Sequence, residues 1–367
     1  MLNEARLLQL TRLLAERGWD FLLLYGHPWR KDFFRCLINL NFSGPHAAAL
    51  VTPSGEVTVL VSDPWDYETV AGTKAVPASF EPDFGNGLRR WVGRSGKAAG
   101  AIAGMEFLEA RHLGAIREGA GSEPVSATAD VEELRRVKTP EEMACLQTSA
   151  DLADRGYQRF ADVIEPGMAE YELVAEVEAF LKSNGAEDNF MLIASGGTEV
   201  TGMKPPTERR FQKGDQVTTE LTPQVGGYWA QICRTLVIGE PSPEQLQAYS
   251  IFAEAQRAAL DFLRPGVDIS DVARVQNDVF RKHGFGDYTG PKYTRVRGHS
   301  LGLHLDENPY ILDDVHYTVK EGMVLIAHPN TYLPLSGYMV FGDTLAVTRD
   351  GCVTLNRTEK KLFSKDA

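Results

Sequence analysis

The sequence predicts an α/β (α+β) protein of two domains, the second built from two similar halves. Three observations support this architecture. Helical and strand-like segments alternate over the first third of the chain, and a charged, polar stretch at residues 130–142 then breaks the alternation. Two later segments, 163–188 and 262–287, nearly repeat each other. We therefore predict domains at residues 1–130 and 131–367.

The first domain begins with an amphipathic helix that Gly18 ends. Its apolar stripe consists of Leu7, Leu8, Leu10, Leu13 and Leu14. The apolar run 21–25 (FLLLY) is typical of a buried strand. Residues 47–52 and 57–62 flank a Pro-Ser-Gly turn and predict a β-hairpin. Further helical and strand-like segments complete the domain at 88–92 (helix), 101–105 (strand) and 107–119 (helix).

The polar stretch also contains the start of a new helix. Thr139 is suited to the N-cap position, Pro140 to the first helical position, and Glu142 to closing a capping box. The second domain therefore opens with a helix that begins at residue 140.

The repeat after this boundary has the order helix, Pro-Gly turn, helix, glycine, strands. Pro166-Gly167 corresponds to Pro265-Gly266, and Gly185 corresponds to Gly284. Matched turns and matched helix faces favour duplication over coincidence. Two such halves, related by a pseudo-twofold axis, would enclose a pocket between their sheets.

The composition excludes several classes of protein. The chain has 367 residues, of which 50 are acidic and 38 basic, so its formal net charge is −12. A negative surface repels phosphate, which argues against nucleic acid as a partner. The chain lacks an apolar run of the ~20 residues that span a bilayer, which argues against a membrane protein. Four cysteines without paired spacing favour a reducing compartment, and we predict a cytoplasmic location.

Several short motifs, in order and spacing, resemble the pita-bread fold family, which includes creatinase, aminopeptidase P, prolidase and methionine aminopeptidase. They are 135–142 (RRVKTPEE), 194–197 (ASGG), 214–215 (GD), 226–228 (GGY), 234–235 (RT), 298–303 (GHSLGL) and 321–324 (EGMV). The resemblance implies a creatinase-type N-terminal α/β domain followed by a C-terminal pita-bread catalytic domain. It also implies a homodimer.

The resemblance further implies an altered metal site. Metallopeptidases of this fold bind two metal ions through two Asp, one His and two Glu, and these positions fall here on Glu220, Gln231, His299, His328 and Gly342. Bridging two cations requires charged oxygens, whereas Gln231 is neutral and Gly342 has no side chain. We therefore expect no cofactor. If a single divalent transition metal is present, Glu220, His299 and His328 would hold it.

Strand alternation around one tight turn brings two of these residues together. If Gly226-Gly227 closes a two-residue hairpin, Glu220 lies opposite Cys233 and Thr222 lies opposite Gln231. These four side chains then share one face of the sheet. A carboxylate and an amide would thus point into the pocket together.

The reaction predicted from this pattern is metal-independent hydrolysis of an amide or amidine C–N bond in a small polar metabolite. Creatinase and ectoine hydrolase, which share the fold, act without metal, and ectoine hydrolase has a Glu at the position of Glu220. In this hypothesis Glu220 is the acid/base or the nucleophile, and His299 and His328 transfer protons.

Six further residues are predicted to bind substrate: Gln231, His304, Asp306, Met203, Phe42 and Arg30. By the resemblance, Asp306 stands where the family places a substrate-contacting His, and Met203 replaces the creatinase histidine. Phe42 matches a creatinase contact made from the N-terminal domain. Arg30 belongs to an aromatic and basic segment, 27–35, that could bind a carboxylate. We expect this domain of one subunit to close the partner's pocket.

Three alternatives remain open at this stage. The set Glu220, His299 and His328 could hold one metal ion, or the same acid/base pocket could catalyse an elimination on a small charged metabolite. The domain could also have lost catalysis and bind a peptide or protein. A dinuclear Xaa-Pro dipeptidase is less favoured, because the two bridging positions are not carboxylates.

Overall fold

The computed structural model describes residues 1–95 and 98–366. It divides into two compact units, Met1–Arg135 and Arg136–Ala367, each with its own sheet and core. The predicted α/β class is therefore confirmed. The boundary predicted between residues 130 and 131 lies inside the helix Thr128–Arg136, just before the point at which the two units divide.

The helices of the described chain are shared between the two units. In the first unit they are α1 (Glu4–Arg17), α2 (Asp32–Arg35), α3 (Pro64–Thr73), α4 (Phe84–Val92), α5 (Ala110–Ala120) and α6 (Thr128–Arg136). In the second they are α7 (Pro140–Val163), α8 (Glu170–Ser183), α9 (Pro243–Phe262) and α10 (Ile269–Lys282). Among the residues described, no helix combines the length and the apolar character needed to cross a membrane.

The strands follow the same division. The first unit has β1 (Phe21–Gly26), β2 (Ala47–Val51), β3 (Val57–Val61), β4 (Ala78–Phe80), β5 (Gly100–Ala103) and β6 (Val125–Ser126). The second has β7 (Asp188–Gly196), β8 (Gln216–Val225), β9 (Tyr228–Trp229), β10 (Ile232–Ile238), β11 (Gly298–Ser300), β12 (Glu307–Tyr310), β13 (Val324–Ala327), β14 (Asn330–Leu333), β15 (Gly337–Val340), β16 (Gly342–Val347), β17 (Cys352–Thr354) and β18 (Phe363–Lys365).

The first unit is a six-stranded mixed sheet in the order β4-β3-β2-β1-β5-β6. Strand β1 pairs antiparallel with β2 and parallel with β5, and β2 forms the predicted hairpin with β3. Helix α1 ends as predicted at Gly18, whose φ of 67° is in the left-handed region that glycine adopts without strain. Leu8 is 53% exposed and therefore lies outside the buried stripe of α1.

The second unit contains the predicted duplication. Helices α7 and α8 flank the turn at Gly167 (φ 87°), and α9 and α10 flank the turn at Gly266 (φ 89°). The backbone N–H of each glycine donates to a distant carbonyl, Gly167 to Phe211 and Gly266 to Val319. Two equivalent turns, each held by an equivalent backbone hydrogen bond, support an origin of the two halves by duplication.

The start of α7 has the capping box predicted from the sequence. Thr139 Oγ1 accepts a hydrogen bond from the N–H of Glu142, and the Glu142 carboxylate accepts one from the N–H of Thr139 at 3.0 Å. Pro140 occupies the first turn, where its missing N–H leaves no bond unmade. The long helix that supports β8 thus begins at a fixed residue.

Candidate active site

The hairpin of β8 and β10 positions the first group of site residues. Glu220 pairs with Cys233 in the ladder, as predicted from the two-residue turn. The ladder is interrupted before β10, so the backbone of Gln231 bonds instead to Thr344 on β16. The N–H of Gln231 donates to Thr344 Oγ1 at 2.9 Å, and this hydroxyl donates to the Gln231 carbonyl at 2.8 Å. Gln231 therefore has a fixed backbone beside Glu220.

A fully buried ion pair joins β10 to β16 next to this group of residues. Arg234 Nη2 lies 2.6 Å from Asp343 Oδ1, and both side chains are inaccessible to solvent. Arg234 Nη1 also donates to the carbonyls of Cys233 and Gly342. Gln256 donates to the second oxygen of Asp343 at 2.8 Å. Because these bonds reach both strands, they fix the backbone at both the Cys233 and the Gly342 positions.

The two histidines come from the other half of the sheet. His299 lies on β11 and His328 directly after β13, with ring centroids 5.3 Å apart and an interplanar angle of 67°. His299 Nδ1 is 3.0 Å from the carbonyl of Ser300, which places a proton on Nδ1 and leaves the lone pair on Nε2. His328 Nδ1 is buried and, within the described chain, has no hydrogen-bond partner.

Asp306 completes the cluster. Its Oδ1 lies 3.4 Å from His299 Nδ1 but accepts no hydrogen bond from any described residue. His304 shapes the turn that presents Asp306, since the N–H of His304 donates to Glu307 at 3.1 Å and its ring lies 3.2 Å from the Asp306 carbonyl. Asp306 therefore faces the same space as His299.

Burial controls the charge state of the cluster. It raises the pKa of Glu220 to about 7, with the Asp306 charge adding to the shift and a hydrogen bond from Gln231 offsetting part of it. Burial lowers the pKa of His328 to about 3, helped by the nearby His299, and burial also lowers the pKa of His299. Both imidazoles are thus neutral near pH 7, and each has a lone pair to donate. Among the described residues, no lysine or arginine forms an ion pair with Glu220 or Asp306.

Met203 and Cys233 are the other residues of this unit that the sequence analysis considered for the site. Met203 is half-buried in the segment between β7 and β8, next to the residue that pairs with Ile193. The substrate contacts assigned to Met203, His304, Asp306 and Gln231 remain predictions. Cys233 is fully buried, and burial raises the pKa of its thiol, as expected for an unreactive cysteine.

Phe42 and Arg30 belong to the first unit and differ in exposure. Phe42 is fully buried and packs edge-on against Phe34, at a centroid distance of 5.4 Å. Its ring fills the core of this unit, and the predicted substrate contact by Phe42 stays a prediction. Arg30 is half-buried, bonds to Asp32 at 3.0 Å and lies 4.1 Å from the ring of Phe107. Its predicted substrate contact stays a prediction.

Two tyrosines near the cluster were missed by the sequence analysis. Tyr310 pairs with His299 across β11 and β12, and burial together with the Asp306 carboxylate raises its pKa. Tyr338 is buried on β15, and burial followed by the charge of Glu220 raises its pKa. The register between β11 and β12 shifts directly after His299, so no sequence pattern could have paired Tyr310 with that histidine.

Residues 144–349 match the Metallopeptidase family M24. The chain belongs to this family. The match covers more than half of the sequence and includes every member of the Glu220 cluster.

Individual relatives support the same assignment. The Xaa-Pro dipeptidase of Pyrococcus furiosus is 31% identical over 235 residues, which are 64% of this chain and 66% of that protein. The probable dipeptidase PepE of Mycobacterium bovis is 30% identical over 366 residues, 96% of this chain and 92% of that protein. An X-Pro aminopeptidase from Thermotoga maritima has the same fold, with a TM-score of 0.85 at 22% identity, covering 98% of this chain and 99% of that one. The predicted pita-bread resemblance and two-domain architecture are thereby confirmed.

Two predictions are wrong on this evidence. Metal-independent hydrolysis of a non-peptide C–N bond is contradicted, because the family is one of metallopeptidases and the relatives are dipeptidases. The finer likeness to creatinase is likewise unsupported, although the prediction of a hydrolase agrees with the family. The expectation of no cofactor is contradicted by the same family membership, and His46, Glu109 and His112 in the first unit also form a candidate metal site. The sequence analysis took the missing bridging carboxylates to favour a site without metal and kept a single ion on Glu220, His299 and His328 only as the alternative.

The residues present do not fit two metal ions. Gln231 offers no charge, and a Cβ added at Gly342 would lie 2.5 Å from the Cβ of His328 and 2.8 Å from the carbonyl of Ala327. A side chain at position 342 is therefore incompatible with His328 in its present place. Position 342 therefore supplies no ligand in this structure.

The donor chemistry does fit one metal ion. Glu220, His299 and His328 supply a carboxylate and two neutral imidazoles, with Asp306 beside them. The unpartnered Nδ1 of His328 and Oδ1 of Asp306 are buried polar atoms that an ion would satisfy. The donor atoms of these side chains are more widely spaced than those of the first-unit set, which lie within 4.8 Å of one another. Binding one ion would therefore draw the side chains together.

Proposed function

We propose that the chain is a metal-dependent dipeptidase that cleaves Xaa-Pro dipeptides with one metal ion in its second unit. The observation that supports this most is the convergence of Glu220, Asp306, His299 and His328, with no described lysine or arginine paired to either carboxylate. A buried carboxylate such as Glu220 is costly to ionise beside the charge of Asp306 unless a proton or a cation offsets their repulsion. The relatives named as Xaa-Pro dipeptidases, from Pyrococcus furiosus and Pyrococcus horikoshii, supply the substrate class.

Glu220, His299 and His328 are the proposed ligands. When bound, one divalent ion supplies Lewis-acid polarisation of a carbonyl and lowers the pKa of a water molecule. The Nδ1–H bond from His299 to the Ser300 carbonyl keeps Nε2 free to bind. The amide of Gln231 acts against burial by lowering the pKa of Glu220 and so favours its ionised, ligating form.

Asp306 and Tyr310 are proposed to handle the substrate rather than the ion. The Asp306 carboxylate has an oxygen without a hydrogen bond and can accept one from the ammonium group of a dipeptide. Tyr310 keeps its proton well above neutral pH, because burial and Asp306 both raise its pKa. Its hydroxyl therefore stays a hydrogen-bond donor throughout the physiological range, with Asp306 as its present partner.

The test is hydrolysis of Ala-Pro and Leu-Pro, followed by release of free proline. Protein freed of metal with a chelator is supplied with Mn²⁺, Co²⁺ or Zn²⁺ in turn, and we expect at least one ion to restore turnover. Glu220→Gln and His328→Ala should each lower kcat by ~10²-fold or more, the scale of a lost catalytic group. His283→Ala is the matched control, because His283 is a surface histidine paired with Glu254.

Two outcomes would contradict the proposal. Failure to release proline from any Xaa-Pro dipeptide with any of the three metals would remove the dipeptidase assignment. Full turnover by Glu220→Gln or His328→Ala would show that the reaction takes place without these ligands.

We further infer that the chain works as a homodimer in which the first unit of one subunit closes the pocket of its partner. Trp29, at the tip of a turn whose ends His27 and Arg30 bond to each other, is 89% exposed. A tryptophan so exposed on a short, hydrogen-bonded turn is suited to burial against another chain. Arg30 follows it, and its guanidinium, now bonded to Asp32, would have to exchange or share that partner to bind a substrate carboxylate.

A further inference from the structure

A second group of candidate ligands lies in the first unit, at the carboxyl ends of parallel strands. His46 directly precedes β2, Glu109 is the N-cap residue of α5, and His112 is in the first turn of that helix. Tyr25 near the end of β1 and Ser62 just after β3 border the same edge of the sheet. In open α/β sheets this edge is where ligands bind, since the loops that follow the strands meet there.

The spacing of the three side chains matches a metal site. One donor atom from each of His46, Glu109 and His112 lies within 4.8 Å of the other two. His46 Nε2 is 3.5 Å from Glu109 Oε1. Two ligands of a tetrahedral zinc ion, each at its usual bond length, lie about 3.4 Å apart. The rings of His46 and His112 meet edge to face, with centroids 4.7 Å apart.

The surroundings of His46 fix which nitrogen faces the site. Its Nδ1 is 2.9 Å from the hydroxyl of Tyr25, and its backbone is held to Ser62 by hydrogen bonds in both directions. Metal-binding histidines commonly bond through the second ring nitrogen to a supporting oxygen, which sets the tautomer. With Nδ1 engaged by Tyr25, Nε2 is the nitrogen directed at Glu109.

His112 provides an independent indication of a ligand. It is 4% exposed, and neither ring nitrogen has a hydrogen-bond partner among the described residues. Buried polar atoms without partners are uncommon and call for a water or an ion. The two carboxylate oxygens of Glu109 have different partners: Oε2 pairs with Arg111 at 2.7 Å, and Oε1 faces His46. Arg111 thus holds the carboxylate in place.

We propose that His46, Glu109 and His112 bind one divalent transition-metal ion of the zinc class, in a site separate from the Glu220 cluster. Two imidazoles and one carboxylate suit Zn²⁺, Co²⁺ or Ni²⁺ better than Mg²⁺ or Ca²⁺, which prefer oxygen ligands alone. The site borders a cleft of ≈ 1180 Å³ whose walls include His27, Trp29 and Asp83. The fourth ligand position therefore opens to a space that can hold water or a small anion.

The test uses the full-length chain without an affinity tag, freed of metal, in competition with a chromophoric zinc chelator. To isolate the first-unit site, the titration is made on Glu220→Gln/His328→Ala protein, which lacks two of the three ligands proposed in the second unit. We expect this protein to bind one Zn²⁺ per chain. Adding His112→Ala should weaken binding by at least ~100-fold, and Tyr25→Phe should weaken it by ~10–100-fold, the range for a supporting partner.

Two variants guard against misfolding and non-specific effects. His112 packs against Phe84, so its removal could disturb the fold, whereas Glu109 is half exposed and caps α5 without a side-chain hydrogen bond. Glu109→Gln therefore removes a ligand while sparing the core, and it should weaken Zn²⁺ binding as well. His316→Ala is the matched control, since His316 is an exposed histidine 3.4 Å from a carboxylate of Asp268, and it should leave binding unchanged.

The proposal is overturned if the Glu220→Gln/His328→Ala protein binds no Zn²⁺ at micromolar concentration, or if Glu109→Gln leaves that binding intact. Co²⁺ added to the same protein should give the intense visible absorption of a four-coordinate ion. The weak spectrum of hexahydrated Co²⁺ would equally contradict the site. Because dipeptide hydrolysis is not the readout, failure here leaves the proposed function of the second unit untouched.

Discussion

Replacing Gly342 by alanine should damage both stability and activity through His328. The new Cβ would lie 2.5 Å from the His328 Cβ, whereas ordinary contact begins near 3.4 Å, so one of the two must move by about 1 Å. Neither strand can shift freely, because Arg234 binds the Gly342 carbonyl and the N–H of His328 donates to Arg297 at 3.0 Å. Overpacking of this kind costs about 1–3 kcal/mol. For a unit of this size the melting temperature should fall by about 2–12 °C.

Thermal unfolding and Xaa-Pro hydrolysis, measured on the same preparations, test this reasoning. We expect kcat to fall by ~10-fold or more in Gly342→Ala, since a shift of about 1 Å misplaces a catalytic group. Gly202→Ala is the control, because a Cβ there meets no atom within 4 Å and Gly202 lies in the same unit. A Gly342→Ala protein with the melting temperature and kcat of the wild type would refute the coupling of Gly342 to His328.

The other predictions concern the buried ion pair, the loss of stability at acid pH and the pocket shared between two subunits. Arg234→Met should cost about 3–5 kcal/mol in urea unfolding, because it leaves Asp343 buried without its main partner. Burial alone would raise the pKa of Asp32, but the guanidinium groups of Arg135 and Arg30 hold that pKa well below its usual range. The ionised Asp32 therefore stabilises the folded state above about pH 4, and this contribution is lost as the pH falls. Asp32→Asn should therefore lower the melting temperature at pH 6 and less so at pH 3. Mixing Glu220→Ala with Arg30→Ala subunits should recover up to about a quarter of the wild-type sites by random exchange.

Each of these predictions has an outcome that contradicts it. The surface pair of Arg274 and Asp271 is the control for the ion pair, and Arg274→Met should change stability by less than about 0.5 kcal/mol. Equal losses of stability in Arg234→Met and Arg274→Met would contradict the claim that burial makes the Arg234–Asp343 pair more important than a surface pair. An Asp32→Asn effect that is the same at pH 3 and pH 6 would reverse the assigned direction of the pKa shift. Absence of rescue, with subunit exchange demonstrated, would exclude a shared pocket.

The parts of the site that follow local rules could be predicted from the sequence. The two-residue turn at Gly226-Gly227 sets the register of its hairpin, so the pairing of Glu220 with Cys233 followed from counting alone. The capping box at Thr139 could be predicted in the same way, because its residue types at this spacing indicate the start of a helix. The spacing of the duplicated glycine turns was equally visible, because glycine at positive φ is a local requirement.

The parts that depend on distant contacts could not be predicted. The burial of Phe42 depends on packing against Phe34 within the first unit, which no local pattern of the sequence indicates. The set of His46, Glu109 and His112 joins the residue before one strand to the start of a helix far along the chain, and no spacing rule connects them. The requirement for a metal was misjudged because the two missing bridging ligands were taken to favour catalysis without metal over a single ion on Glu220, His299 and His328.

The most direct test of the central claim is a titration of metal-free protein with one divalent ion while Ala-Pro hydrolysis is followed. We predict no turnover after chelation and recovery that saturates as one ion occupies the second unit. Recovery should persist in His112→Ala and be lost in Glu220→Gln. Turnover that survives complete removal of metal, or that returns equally in Glu220→Gln, would contradict a metal-dependent dipeptidase built on Glu220, His299 and His328.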